Sequence, residues 1–123
     1  MIDYISVTKK YVLLIVFLFL QRQNKYFRKQ FELINALNLP LFLHERNCGE
    51  DFIKVFNEFD PDHKLRGCVH SYTGTKELAK ELLDMGFYIG FNGSGMRTDE
   101  SLEVIRSVPL NRILIETGSF RNT

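Results

Sequence analysis

Three short apolar runs lead into residues that can bind a metal ion or handle a proton. Leu39-Pro40-Leu41-Phe42-Leu43 leads into His44, Arg66-Gly67-Cys68-Val69 into His70, and Arg112-Ile113-Leu114-Ile115 into Glu116-Thr117-Gly118. Neutral imidazole is a common ligand for divalent metals, and the carboxyl ends of parallel strands are where α/β barrels assemble their active sites. His44 and His70 stand one strand–helix unit apart, so their spacing suggests a metal site shared by neighbouring strand ends.

Holding two such histidines side by side requires a parallel sheet, and the chain carries the pattern for one. From Gln21 to Asn38 the apolar residues Phe27, Phe31, Ile34 and Leu37 recur three or four apart, an amphipathic helix. Asn38-Leu39-Pro40 ends it, because the residue before a proline is pushed out of the helical region. Leu41 to His44 then reads as a short strand covered on both faces. A second helix runs from about Gly49 to Phe59 with Phe52, Val55, Phe56 and Phe59 inward, and Pro61-Asp62 marks a loop.

The cycle repeats. Gly67 to His70 reads as a strand. Thr75 caps a helix whose Leu78, Ala79, Leu82 and Leu83 form an apolar stripe, with Glu77 favourably placed in the first turn. Gly86 stops that helix, Phe87 to Phe91 forms a strand, and Asn92-Gly93-Ser94-Gly95 turns the chain. Thr98-Asp99-Glu100 opens a last helix carrying Leu102, Ile105 and Val108, which Pro109 ends before a final strand at Ile113 to Ile115. Four strands alternating with helices predict an α/β fold, a partial (β/α) barrel of the TIM type with helices on its outer side. A closed eight-unit barrel needs about 250 residues, and this chain has 123. The open edges of such a sheet are expected to pair with another chain, so self-association is anticipated.

Composition excludes several classes. A hydrophobic fraction of 45% and a charged fraction of 25% are those of an ordinary globular protein. A net charge of +1 provides no whole-protein attraction to nucleic acid or membrane, so any such partner is met locally. Cys48 and Cys68 are too few for a disulfide scaffold or a cysteine-based zinc site. One segment stands apart, the unbroken apolar run Tyr11 to Leu20 behind Lys9-Lys10. As a helix it spans only about 15 Å, half of a hydrocarbon core. It reads as a buried strand or core helix, or else as an anchor or signal-like element, although Gln21-Arg22-Gln23 offers no small-residue cleavage site. Residues 1–20 are therefore set apart as a divergent apolar segment before the barrel portion at 21–123.

Five motifs in order name a family. QNKYFRKQF at Gln23 to Phe31, LPLFLHERN at 39–47, VHSYTGT at 69–75, YIGFNG at 88–93 and RILIET at 112–117 make the chain from about Gln21 to Thr117 resemble the TatD-type metal-dependent deoxyribonucleases. These belong with the amidohydrolase-like barrels. The resemblance implies that the four units correspond to the fifth through eighth strands of the barrel. It also implies hydrolysis of DNA phosphodiester bonds with a divalent metal (Mg, Mn or Zn), and a cytoplasmic or nuclear setting. No membrane partner is implied beyond the short apolar segment.

Carried across residue by residue, the resemblance makes His44 and His70 the metal ligands that end the fifth and sixth strands. It makes Arg46 a candidate for contact with a phosphate oxygen, with a plain salt bridge as the alternative. The family's His-x-His pair is absent, since the third histidine, His63, falls in a loop. The fourth-strand glutamate is absent too, for the apolar run stands in its place. Gly118 occupies the position of the catalytic aspartate, so no catalytic carboxylate is intact, and Glu116 is read as facing a different side from position 118. Glu45 stands where the family usually has a cysteine. The chain alone is expected to be inactive, and a non-catalytic barrel fragment is the alternative reading. The basic cluster Arg22, Lys25, Arg28 and Lys29 is read as the solvated face of a helix, and Gly90, Asn92, Gly93 and Gly95 as a tight turn.

Overall fold

A helix that shows one apolar stripe buries it against a neighbouring element, and among the described residues four helices cover a single sheet. The computed structural model describes residues 5–8, 11–15 and 21–117. The strands are β1 (Ile5–Thr8), β2 (Tyr11–Ile15), β3 (Leu41–His44), β4 (Gly67–Val69), β5 (Tyr88–Phe91) and β6 (Ile113–Ile115). The helices are α1 (Gln21–Leu37), α2 (Gly49–Phe59), α3 (Lys76–Asp84) and α4 (Asp99–Ser107), with short 3-10 turns at Gly93–Met96 and Leu110–Arg112. The strands lie in sequence order, β1 and β2 antiparallel and every later pair parallel.

The four strands expected between 41 and 115 are present, with helices between them. The sheet has two more. Tyr11–Ile15 settles the first half of the apolar run as a strand, hydrogen-bonded to β3 in the register Val12↔Leu41. Residues 16–20 of that run lie outside the described residues. The helix over Gln21–Leu37 is thus the link between β2 and β3 rather than the leading element.

Local chemistry accounts for the helix ends. The Thr75 hydroxyl accepts the Leu78 N–H at the start of α3. Thr98 and Ser101 exchange side-chain and backbone hydrogen bonds at the start of α4, satisfying two otherwise orphaned N–H groups. On the covered face Leu41, Leu43, Val69, Ile89 and Phe91 meet Phe27 and Phe31 of α1, Phe52 and Phe56 of α2, and Ala79 and Leu82 of α3. In α4 the fully inward residue between Thr98 and Val108 is Val104, with Ile105 partly buried beside it, instead of the expected Leu102. Phe59 is 38% exposed but stacks on Phe31 at 4.6 Å.

Period-two alternation sends the intervening strand residues to the other face. Tyr88 and Leu114 there are 42% and 41% exposed, because among the described residues all four helices pack on the opposite side. This exposed face is the inner wall of an open half-barrel, and it carries both histidines.

Candidate functional site

His44 ends β3 and His70 follows β4. The sheet register pairs Leu41 with Gly67, Phe42 with Cys68 and Leu43 with Val69, and the His70 N–H donates to Leu43 O at 2.8 Å. Carrying the register forward sets the two rings side by side, His44 Nδ1 at 3.1 Å from His70 Nε2. Phe42 stacks on His70 with centroids 4.4 Å apart and limits its rotation. Both rings are half-buried. Burial holds His44 below the usual histidine range, with the Arg46 charge adding to it. Burial, then His44, pushes His70 down to about 4. Both imidazoles are therefore neutral near pH 7, the form that ligates metal.

Glu116 belongs to this group; its direction relative to position 118 lies outside the described residues. Its carboxylate accepts the Ser71 N–H at 2.9 and 3.2 Å, and its Oε2 lies 3.8 Å from His70 Nδ1. The strand period explains the direction. Leu114 and Glu116 are two residues apart and share the inner face. Burial raises the Glu116 pKa, and the Ser71 N–H pulls it partly back.

The remaining candidates separate cleanly. Arg46 is exposed and forms no salt bridge among the described residues. Glu45 is 4% exposed, and its carboxylate accepts the Cys48 N–H at 2.8 Å, a structural post at the start of α2. Cys68 points to the same face as the histidines, but burial and Glu116 push its thiol up to about 11. His63 is exposed in the loop ahead of β4 and faces Asn57 at 3.2 Å, whereas His70 follows that strand. Gly93 to Met96 forms a tight 3-10 turn closed by Gly95 N–H donating to Asn92 O at 3.0 Å, as the turn reading expects for that part, whereas Gly90 lies within β5. In the basic cluster, Arg28 pairs with Glu58 at 2.6 Å on the outer surface of the helix layer. Gly118 lies outside the described residues.

Does the pair suit a metal ion? Two imidazole nitrogens about 2.1 Å from one tetrahedral ion stand roughly 3.4 Å apart. The observed 3.1 Å separation of His44 Nδ1 and His70 Nε2 is close to that. Yet no three histidine, cysteine, aspartate or glutamate side chains converge to hold an ion among the described residues. Glu116 sits against the far nitrogen of His70, behind the pair and not beside it. The two histidines fit as one side of a metal site whose other donors this group does not provide.

Comparison with known proteins shows what the chain is similar to. The family model described as TatD related DNase matches residues 3–120. The chain is 39% identical to "Deoxyribonuclease Tat-D" of Schizosaccharomyces pombe, over 79% of this chain and 31% of that protein. It is 36% identical to an uncharacterized metal-dependent hydrolase of Escherichia coli, over 80% of this chain and 37% of that one. Among solved structures, a TatD family hydrolase from Entamoeba histolytica superposes with a TM-score of 0.75 at 26% identity, covering 92% of this chain and 38% of the other. An uncharacterized amidohydrolase from Saccharomyces cerevisiae gives a TM-score of 0.68 at 28% identity, covering 77% and 34%. The chain spans about a third of the length of the curated relatives it matches.

Proposed function

The chain belongs to the TatD related DNase family, and from that premise we propose that it carries one side of the metal site of a hydrolase acting on DNA phosphodiester bonds. The observation that supports this most is the 3.1 Å approach of His44 and His70 at adjacent strand ends. In this reading both histidines hold a divalent cation, and Arg46, exposed beside His44, meets a non-bridging phosphate oxygen. When bound, such a cation lowers the pKa of a water and neutralises charge on the phosphate. The protein's own share is narrower. Burial keeps both rings neutral, Phe42 restrains His70, and the open inner face admits a polymer.

We further propose that the chain does not catalyse hydrolysis by itself. Two imidazoles make a weak and unselective site, whereas hydrolytic metal sites commonly use three protein ligands and an open position. Purified chain with Mg²⁺ or Mn²⁺ and single-stranded DNA is expected to show no turnover above a His70→Ala control. Metal-dependent cleavage abolished by that substitution would overturn the proposal. Zn²⁺ titration of the same two proteins tests the ligand assignment separately, with affinity expected to fall roughly tenfold or more in His70→Ala.

A non-catalytic barrel fragment is the second reading, and the exposed sheet supports it. β1 and β6 are the edges, and Ile115 on β6 is 85% exposed. An open edge with an apolar flank pairs readily with another chain, so self-association through these edges is proposed. Light scattering at increasing concentration is expected to show mass above the monomer. A sharp monomer throughout counts against it. Residues 1–20 are proposed as divergent in sequence from the barrel portion at 21–123, although β1 and β2 extend the same sheet, and the setting is proposed as cytoplasmic or nuclear. No helix among the described residues is long and apolar enough to cross a membrane.

A further inference from the structure

The two nitrogens of His70 face different partners. Nε2 meets His44 at 3.1 Å, and Nδ1 faces the Glu116 carboxylate at 3.8 Å. Strand pairing does not require the second contact, because β4 and β6 are separated by β5. Glu116 reaches across β5 at Gly90, where a side chain is missing. A Cβ built at Gly90 would strike the Glu116 carboxylate and lie 3.3 Å from His70 Cα. The far end of the reach is also prepared. Ser71 stands at φ 51°, a left-handed conformation unusual for serine, and there its N–H donates to both Glu116 oxygens. Asn92, 7% exposed, donates from Nδ2 to the Ser71 hydroxyl and braces that turn. At its own backbone Glu116 is tied to β5, its N–H donating to Phe91 O at 3.0 Å.

We propose that Glu116 is a positioning residue for His70. It orients the ring and selects the tautomer carrying its proton on Nδ1. A carboxylate attracts an N–H dipole and repels a nitrogen lone pair, and at 3.8 Å this preference is electrostatic rather than a direct hydrogen bond. With the proton on Nδ1, the Nε2 lone pair is presented to His44, which then donates from its own Nδ1. A carboxylate behind a ligating histidine fixes tautomer and orientation in the same way in metal sites generally. The tautomer itself stands on the geometry of this chain. Its use in presenting a lone pair to a cation rests on the metal reading above.

The test is nitrogen-15 NMR of the full metal-free chain at pH 8, reading the histidine two-bond correlations with a His70→Asn spectrum for assignment. His70 is expected mainly as the Nδ1–H tautomer. In Glu116→Gln the ratio of Nδ1–H to Nε2–H is expected to fall by roughly fivefold, the scale of one weakened contact to a charge. Gly90→Ala leaves the carboxylate in the chain but displaces it, and the same loss is expected there. An Nε2–H tautomer in the wild type overturns the proposal even if neither variant folds. So does an unchanged ratio in a folded Glu116→Gln. Zn²⁺ titration of the same samples keeps the two readings apart. Glu116-dependent tautomer selection without Zn²⁺ binding retains the positioning role and removes the metal reading. Zn²⁺ binding that needs His70 while the tautomer ignores Glu116 does the reverse.

Discussion

Phe56→Ala is expected to cost about 3–5 kcal/mol, enough to leave the chain largely unfolded if its total stability is in the ordinary range of roughly 5–15 kcal/mol. Phe56 is 0% exposed. Its ring centroid lies 5.8 Å from Phe27, 5.2 Å from Phe31, 4.9 Å from Phe52 and 5.1 Å from Phe87. Those rings belong to α1, to α2 itself and to the residue that leads into β5, so the void left by the substitution borders three separate segments. No single one can move in to fill it without leaving its other contacts, and an unfilled cavity adds to the lost transfer energy. Phe59→Ala is the control. Phe59 is 38% exposed and leans on the same cluster from the rim, so its loss is expected to be less than half as large. Urea denaturation followed by far-UV circular dichroism reads both. Equal midpoints for the two variants would show that the aromatic cluster is not what holds the helices to the sheet.

Gly67→Ala is expected to damage fold and site together. Gly67 opens β4 directly opposite Leu41 of β3, and a Cβ there would fall 2.8 Å from Leu41 Cβ and 2.9 Å from the Leu41 carbonyl carbon. The obstacle is the backbone of the neighbouring strand, which is held by Leu41 N–H donating to Arg66 O at 2.7 Å. A flexible side chain would swing aside, but a strand has to part from its neighbour. Overpacking of this kind costs about 1–3 kcal/mol. The same ladder sets the separation of His44 and His70 three residues later, so Zn²⁺ affinity is expected to fall roughly tenfold even in the fraction that stays folded. Thermal denaturation and Zn²⁺ titration on one preparation check this. Wild-type stability with wild-type Zn²⁺ affinity would show that the start of the ladder does not govern the spacing of the histidines.

The legible part of the fold was the alternation of short apolar runs with amphipathic stripes. β3, β4, β5 and β6 each lie between a turn signal and a polar residue, and the Thr75 and Thr98 caps are local chemistry. Tyr11–Leu20 resisted reading because a continuous apolar run has no period, and without a period strand and helix look alike. Pairing of Val12 with Leu41 resolves its first half as β2. β1 is four residues of mixed character whose identity rests on its antiparallel partner. In α4, Leu102, Val104 and Ile105 are close enough along the helix that the pattern alone does not rank them, and burial in the core cluster selects Val104.

The site divides in the same way. His44 and His70 could be placed together from the sequence because their offset equals that of the pairs Leu41↔Gly67 and Leu43↔Val69. Matched offsets along parallel strands survive any detail of packing. Glu116 could not be placed by the same means. Alternation with Leu114 fixes the face it points to, but its reach to Ser71 and His70 depends on the twist of three strands and on the side chain missing at Gly90. Sequence patterns encode direction within one strand. Reach across a neighbouring strand is a property of the assembled sheet, and only the tertiary structure decided it.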